Sequence, residues 1–150
     1  MGYTIKVTGL DQVRSSFMKA PAVVSGQLER GVKDAGAVIL EREKREAPIK
    51  SGNLRRLIEM SYKPISVSIR PKSGYAYFVH FGTGLFGERK ALIRPIRAKV
   101  LAWKSGGKMV FARYTRGQKP NPFVERTAEG VEPAINKIFD GILNNITEKL

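Results

Sequence analysis

Cysteine is absent from this chain of 150 residues. That excludes disulfides, thiolate nucleophiles and zinc sites built on cysteine. Histidine occurs once, at His80, so catalysis by paired histidines is excluded as well. No apolar run approaches the roughly 18–20 residues of a membrane span. The opening MGYTIKVTGL lacks the basic-then-apolar pattern of a signal peptide. Lys6 stands where a myristoylation motif after Met1-Gly2 needs Ser or Thr. A cytoplasmic site of synthesis is the expectation.

Acidic residues are scarce in one place only. Residues 60–120 carry thirteen Lys or Arg against one acid, Glu88, for a net +12. Residues 1–59 carry eleven against seven, and residues 121–150 three against five. A basic block therefore sits between nearly balanced ends. It implies attraction to something anionic, either nucleic acid or an acidic protein surface.

The length favours one domain with a modest core. Residues 3–8 alternate as a short strand, and Asp11 suits the N-cap of a short helix reaching Lys19. A longer helix follows Pro21, with Val24, Leu28, Val32, Ala35 and Ile39 on one face. Glu29, Arg30, Lys33, Glu41, Lys44 and Arg45 lie opposite, and Glu41–Arg45 form an i,i+4 pair. Pro48 ends this helix near Glu46. Ser51-Gly52-Asn53 reads as a turn.

Residues 61–70 alternate as a strand, with Ile65, Val67 and Ile69 on one side. Residues 75–81 (YAYFVHF) are expected to form a second strand, making 61–81 a hairpin. Residues 92–103 and 108–115 are expected to pair as strands across Ser105-Gly106-Gly107. Asn121 and Pro122 suit the start of a last helix. Val131, Ile135, Ile138, Ile142 and Ile146 mark its apolar face, which Phe139 and Leu143 widen, and Gly130 and Pro133 trouble its first half. Strands clustered between flanking helices give α+β. The expected architecture is a small antiparallel sheet packed against a long helix in the N-terminal half and a C-terminal helix. Residues 1–150 are expected to form a single domain, with 82–119 a long basic loop or hairpin arm inserted before the last helix.

The chemistry readings differ in what supports them. There is no metal-ligand cluster, phosphate loop or nucleophile elbow, and no cofactor is expected. GTGLFG (82–87) lacks the lysine and setting of a phosphate loop and reads as a turn. His80 reads as a half-buried or interface residue; a His80-dependent nuclease is the least supported alternative. Tyr75, Tyr77, Phe78, Trp103, Phe111 and Tyr114 are interleaved with cations, which suits base stacking and phosphate contact. Equally, these aromatics could fill the core. A basic nucleic-acid-binding module is thus one reading.

Four segments occur in a telling order: AP-IKSG-NLR at 47–55, YAYFVHFGTG at 75–84, IRPIRAKVLAW at 93–103 and KPNPFVERTAE at 119–129. Together they resemble the tail-completion, or head–tail joining, proteins of tailed bacteriophages, the "gene product ten"-like proteins of lambdoid siphophages. Ala47, Pro48, Ser51, Gly52, Leu54 and Arg55 match the first part of the family pattern. Tyr75, Ala76, Val79, Gly82 and Thr83 match the second, and Pro120, Pro122, Phe123 and Ala128 the third. His80 stands where the family usually has Glu.

The resemblance implies a non-enzymatic virion protein of the neck or tail end. Its expected partners are copies of itself in a ring, commonly six-fold, together with the head connector or neck proteins and the tail tube protein. Non-specific contact with the exiting genomic DNA is a further expectation; contact with membrane is not. Interface residues on the arm are expected at His80, Gly82, Thr83, Leu85, Phe86, Arg89, Lys90, Arg94, Arg97 and Lys99. Lys104, Lys108, Arg113 and Arg116 are candidates for contact with DNA in the channel. Gly82 and Thr83 are expected to set the exit angle of the arm, which is expected to become ordered on assembly.

Overall fold

The computed structural model describes residues 22–147. The strand expected at 3–8 and the helix expected at 11–19 lie outside these residues. The described chain is α+β, with two long helices and two separate two-stranded antiparallel sheets. Its described residues divide into two compact units, one of residues 22–73 with 123–147 and the other of residues 74–122.

In the first unit, helix α1 spans Ala22–Glu46. The five apolar residues that share a face by spacing, Val24 to Ile39, are all buried. The solvent face keeps its charges, and Arg45 meets Glu41 at 4.0 Å, an exposed contact worth only tenths of a kcal/mol. The one-turn helix α2 (Asn53–Arg56) follows a left-handed Gly52 with φ 75°. Strands β1 (Ile58–Lys63) and β2 (Ser66–Pro71) then form a hairpin in which Met60 faces Ile69 and Tyr62 faces Val67.

Ile58, Val67, Ile69 and Pro71 are buried on one face of that hairpin. This face packs on α1 at Gly36, where a Cβ would lie 2.6 Å from Val67 and 2.9 Å from Met60. A glycine inside a helix costs about 1 kcal/mol against alanine, and here it lets the sheet approach. The Tyr62 hydroxyl donates to the Glu29 carbonyl at 3.3 Å.

The hairpin corrects one expectation. The strand expected over 61–70 is broken at Pro64-Ile65, which form the turn. Proline has no N–H to give to a ladder, and its fixed φ suits a turn position. The hairpin thus occupies 58–71 and not 61–81.

The last helix, α4, spans Phe123–Thr147 and runs through Pro133 without ending. It begins just after the Asn121-Pro122 pair, because the Asn121 N–H is already donated to the carbonyls of Val79 and His80 at 3.0 and 3.1 Å. Phe123, Thr127, Val131, Ile142 and Ile146 are its buried residues, and Phe123 is the largest side chain with no exposure. The Thr127 hydroxyl donates to the Phe123 carbonyl at 2.7 Å, which satisfies a polar group inside the core. Helix α4 packs along α1, so the core of this unit lies between two helices and a hairpin.

In the second unit, residues 76–81 are not a strand. They form helix α3 (Ala76–Phe81). Ala76, Val79 and His80 are its buried residues, at the i, i+3, i+4 spacing of one helical face. A strand would have put Tyr75, Tyr77, Val79 and Phe81 on one face, where three large rings would need a core. The helix instead buries the small residues and leaves Phe78 and Phe81 out. Aromatic content favours strands only where the pleated surface packs.

After α3 come a short 3-10 turn (Gly84–Phe86), a long irregular stretch, and strands β3 (Leu101–Ser105) and β4 (Lys108–Ala112). The turn between them is Gly106-Gly107 with φ 57° and 79°. Two successive positive φ values match the twist of a two-residue hairpin. The strand expected over 92–103 is mostly absent; only Ile93 bridges to Thr115 before β3 begins. Pro95 interrupts any ladder through that segment.

Candidate functional site

The second motif segment ends α3 and starts the arm. Gly82 closes the helix with φ 80°, and a Cβ there would lie 2.8 Å from the Gln118 carbonyl and 2.9 Å from the Pro120 nitrogen. Thr83 then clamps the returning chain twice. Its N–H donates to the Gln118 carbonyl at 2.9 Å, and its hydroxyl accepts the Gln118 N–H at 2.9 Å. The Leu85 N–H donates to the Arg116 carbonyl at 2.8 Å, and Ile93 and Thr115 exchange two bonds. Gly117, with φ 88°, faces Thr83 so closely that its backbone leaves no room for a side chain.

Both ends of the 82–119 segment are therefore zipped together at its base. Gly82 and Thr83 sit where the chain turns outward. Sequence reasoning named these two but missed Gly117, whose partner in the clamp lies more than thirty residues away.

Beyond the clamp the surface is apolar and basic. Among the described residues, twelve of the fifteen exposed large apolar side chains belong to 74–122. Ile96 is 98% exposed, Phe111 64% and Tyr114 54%. The same unit carries ten Lys or Arg against Glu88 alone. Leu85 and Phe86 are exposed, as are Arg89, Lys90, Arg94, Arg97 and Lys99. Lys104, Lys108, Arg113 and Arg116 are exposed as well. Arg94 stands 5.9 Å over the Tyr114 ring, and Lys119 stands 5.9 Å over Phe86. Such cation–π contacts hold the cations beside rings that water still reaches.

A cleft of about 690 Å³ opens between α3 and the following loop. Phe78, Phe81, Leu92, Ile93 and Arg94 are among the residues that line it.

His80 does not join that surface. It is 5% exposed and turned into the buried face of α3, edge-on to Phe81 with ring centroids 4.4 Å apart. Glu88, the unit's one acid, accepts from the Tyr77 hydroxyl at 3.4 Å. Among the described residues no group of three or more His, Asp or Glu could hold a metal ion.

The β3–β4 hairpin divides its own residues by face. Leu101, Ala112 and Val110 are half-buried on one side, which they share with an exposed Trp103. Phe111, Met109, Ala102 and Lys104 stand exposed on the other. Met109 and Ile96 were not singled out from sequence. For Met109 the signal was available: alternation counted outward from Gly106-Gly107 puts Met109 and Phe111 on one face with Lys104.

The first motif segment has a structural job in the other unit. Arg55 donates to the carbonyls of Ala47 at 3.1 Å and Arg45 at 2.9 Å. It thereby caps the C-terminus of α1, where carbonyls lack helical donors and a cation is favoured. Ala47 and Leu54 are buried beside it. Nearby, Glu46 joins two arginines: Arg42 at 2.9 Å and Arg126 of α4 at 3.0 Å. Its carboxyl is held below the usual carboxylate range, first by the Arg126 hydrogen bond and then by the Arg42 charge.

The arrangement defines a small α+β protein with one packed unit and one uncovered basic, apolar unit. Residues 11–82, just under half of the chain, match the family model described as "Bacteriophage HK97-gp10, putative tail-component". Over that segment the chain is similar to a bacteriophage tail-component family, as the motifs at 47–55 and 75–82 led one to expect. Thr83, the arm and α4 lie beyond the matched residues. Comparison with curated proteins found no match, and neither did comparison with solved structures.

Proposed function

We propose that this protein is a structural subunit of the virion's tail-completion or head–tail joining apparatus. It assembles as a ring, six-fold by analogy with the family, at the neck or tail end. The observation that carries this reading is the pairing of the tail-component match with the uncovered surface of 74–122. A surface with this much exposed apolar area is an interaction surface. Its partners are copies of itself, the head connector or neck proteins, and the tail tube protein. The role is one of joining and not of catalysis.

A ring of this kind surrounds the path of the genome. Arg and Lys on its inner rim would touch DNA through phosphates and without regard to sequence. Tight binding would slow ejection, so most of the basic surface serves contacts between proteins. Residues 86–112 gain order when those contacts form. Hydrogen exchange should therefore show these amides more protected in particles than in the isolated subunit; equal protection counts against the arm's role.

The direct test is deletion of the gene with electron microscopy of the lysate, and labelling of the protein on wild-type particles. Headless tails and tailless heads, with the label at the neck of intact particles, are expected. Normal particles without the protein would overturn the reading.

One observation favours a second reading. Exposed Phe111 and Tyr114 beside Lys and Arg would suit single-stranded nucleic acid. That reading requires the isolated subunit to bind DNA with an affinity that falls steeply with salt.

A further inference from the structure

Two surfaces on this chain are complementary, and they lie on different units. The first is the outward face of the β3–β4 hairpin. Phe111 is 64% exposed and Met109 50%, with Lys104 on the same face, while Lys108 pairs with Ser105 on the opposite one. An isolated two-stranded hairpin is marginal in water, and this one leaves large apolar side chains uncovered on the side away from its own unit.

The second surface is the outward face of α4. At about 100° per residue, Glu125, Glu129, Glu132 and Asp140 fall within about 80° of one another. All four are exposed, and no Lys or Arg lies within that arc. Ala128 and Pro133 flank the stripe, one on each side, and are exposed too, giving it small apolar borders. Pro133 also lacks the N–H that would bond the Glu129 carbonyl. The buried side of α4 is held on α1, and Arg126 ties it to Glu46 at 3.0 Å, so the outward face is presented by a fixed helix.

We propose that the hairpin face of one copy docks on the acidic face of α4 of the next copy. This rests on the ring reading and names the contact that would build it. Lys104 meets Glu129 and Glu132, while Phe111 and Met109 cover the apolar ground beside them at Pro133. The two patches differ, so the contact is head-to-tail and closes only by rotation. The charges of the two segments agree with this pairing: residues 74–122 carry a net +9, whereas residues 121–150, which hold α4, carry −2. An acidic partner is what the basic unit lacks within itself.

The test uses the full chain and two variants, Lys104→Glu and Glu129→Lys/Glu132→Lys. All three positions are exposed, and circular dichroism checks that each variant folds. Oligomer mass is followed across concentration by sedimentation, and incorporation is followed in phage particles. Each variant alone should associate at least about tenfold more weakly than wild type. Mixed together, they should form an alternating oligomer, because the reversed hairpin of one pairs with the reversed helix of the other and the two unchanged faces pair as well. All the changes in one chain should restore the wild-type oligomer.

Wild-type assembly by either variant, or a mixture that stays monomeric, overturns the docking. A wild-type chain that enters particles while both variants enter equally well defeats the docking alone. A wild-type chain absent from particles defeats the neck reading, and the docking with it.

Discussion

Phe123 and Phe111 are twelve residues apart in sequence and opposite in environment. Phe123 has no exposure, and Phe111 is 64% exposed. The first opens α4 and fills the core between two helices and a hairpin. The second stands on the bare side of a two-stranded ribbon. The contrast extends to the units that hold them. One unit buries its apolar residues and sets twelve acids against seventeen Lys or Arg, while the other buries little beyond Ala76, Val79 and His80 and sets one acid against ten. Stability is thus concentrated in one unit and uncovered surface in the other.

The contrast can be broken most sharply at the core. Phe123→Ala should destabilise the protein by about 3–5 kcal/mol, because a buried ring leaves a cavity that packed helices cannot fill. Chemical denaturation measures this. A loss well under 1 kcal/mol would mean that the core is not where the structure places it.

The next largest effect belongs to the clamp. Gly82→Val forces a β-branched side chain into a left-handed φ and against the backbone of Gln118 and Pro120. The local cost should be about 2 kcal/mol or more. It should appear as faster hydrogen exchange at Thr83, Leu85 and Gln118, with α1 unchanged. Uniform loss of protection would instead show that the two units unfold together.

A smaller effect is expected at Arg55. Removing it with Arg55→Ala uncaps the Ala47 and Arg45 carbonyls and should cost about 1–2 kcal/mol. Exchange at the end of α1 should rise and the hairpin 101–112 should not respond.

The smallest effect is a pH dependence. Glu46 has its carboxyl lowered in the folded chain by Arg126 and Arg42. Its stabilisation is therefore present above the ordinary Glu value and is lost as pH falls through the folded value. Glu46→Gln should flatten the acid limb of the stability profile and leave the neutral-to-basic part unchanged in shape. An unaltered acid limb would remove Glu46 from the account.

Much of the packed unit was legible before the fold was known. The apolar spacing of α1, its end before Pro48 and the buried face of α4 follow from local rules that tertiary packing then obeys. The β3–β4 hairpin was legible too, because Gly106-Gly107 supplies the φ values its turn needs. The failures have physical causes. Residues 75–81 have strand-like composition, and a six-residue helix is too short for its period to stand out. What decided the matter was which residues could be buried, and that depends on a core the sequence does not display. The cap made by Arg55 and the bridge from Glu46 to Arg126, eighty residues away, leave no local trace. The candidate surface was legible as charge and aromatics but not as faces. Its division into a half-buried side and a bare side needed the register of the hairpin.

The central claim is that the unit of 74–122 is surface for assembly and not part of what keeps the chain folded. Phe111→Ala tests it most directly, measured in one preparation for thermal stability and for incorporation into phage particles. The account predicts an unchanged melting temperature and particles that lack the variant or fail to join heads to tails. A variant that melts early, or one that enters particles at the wild-type level and supports normal joining, would contradict it.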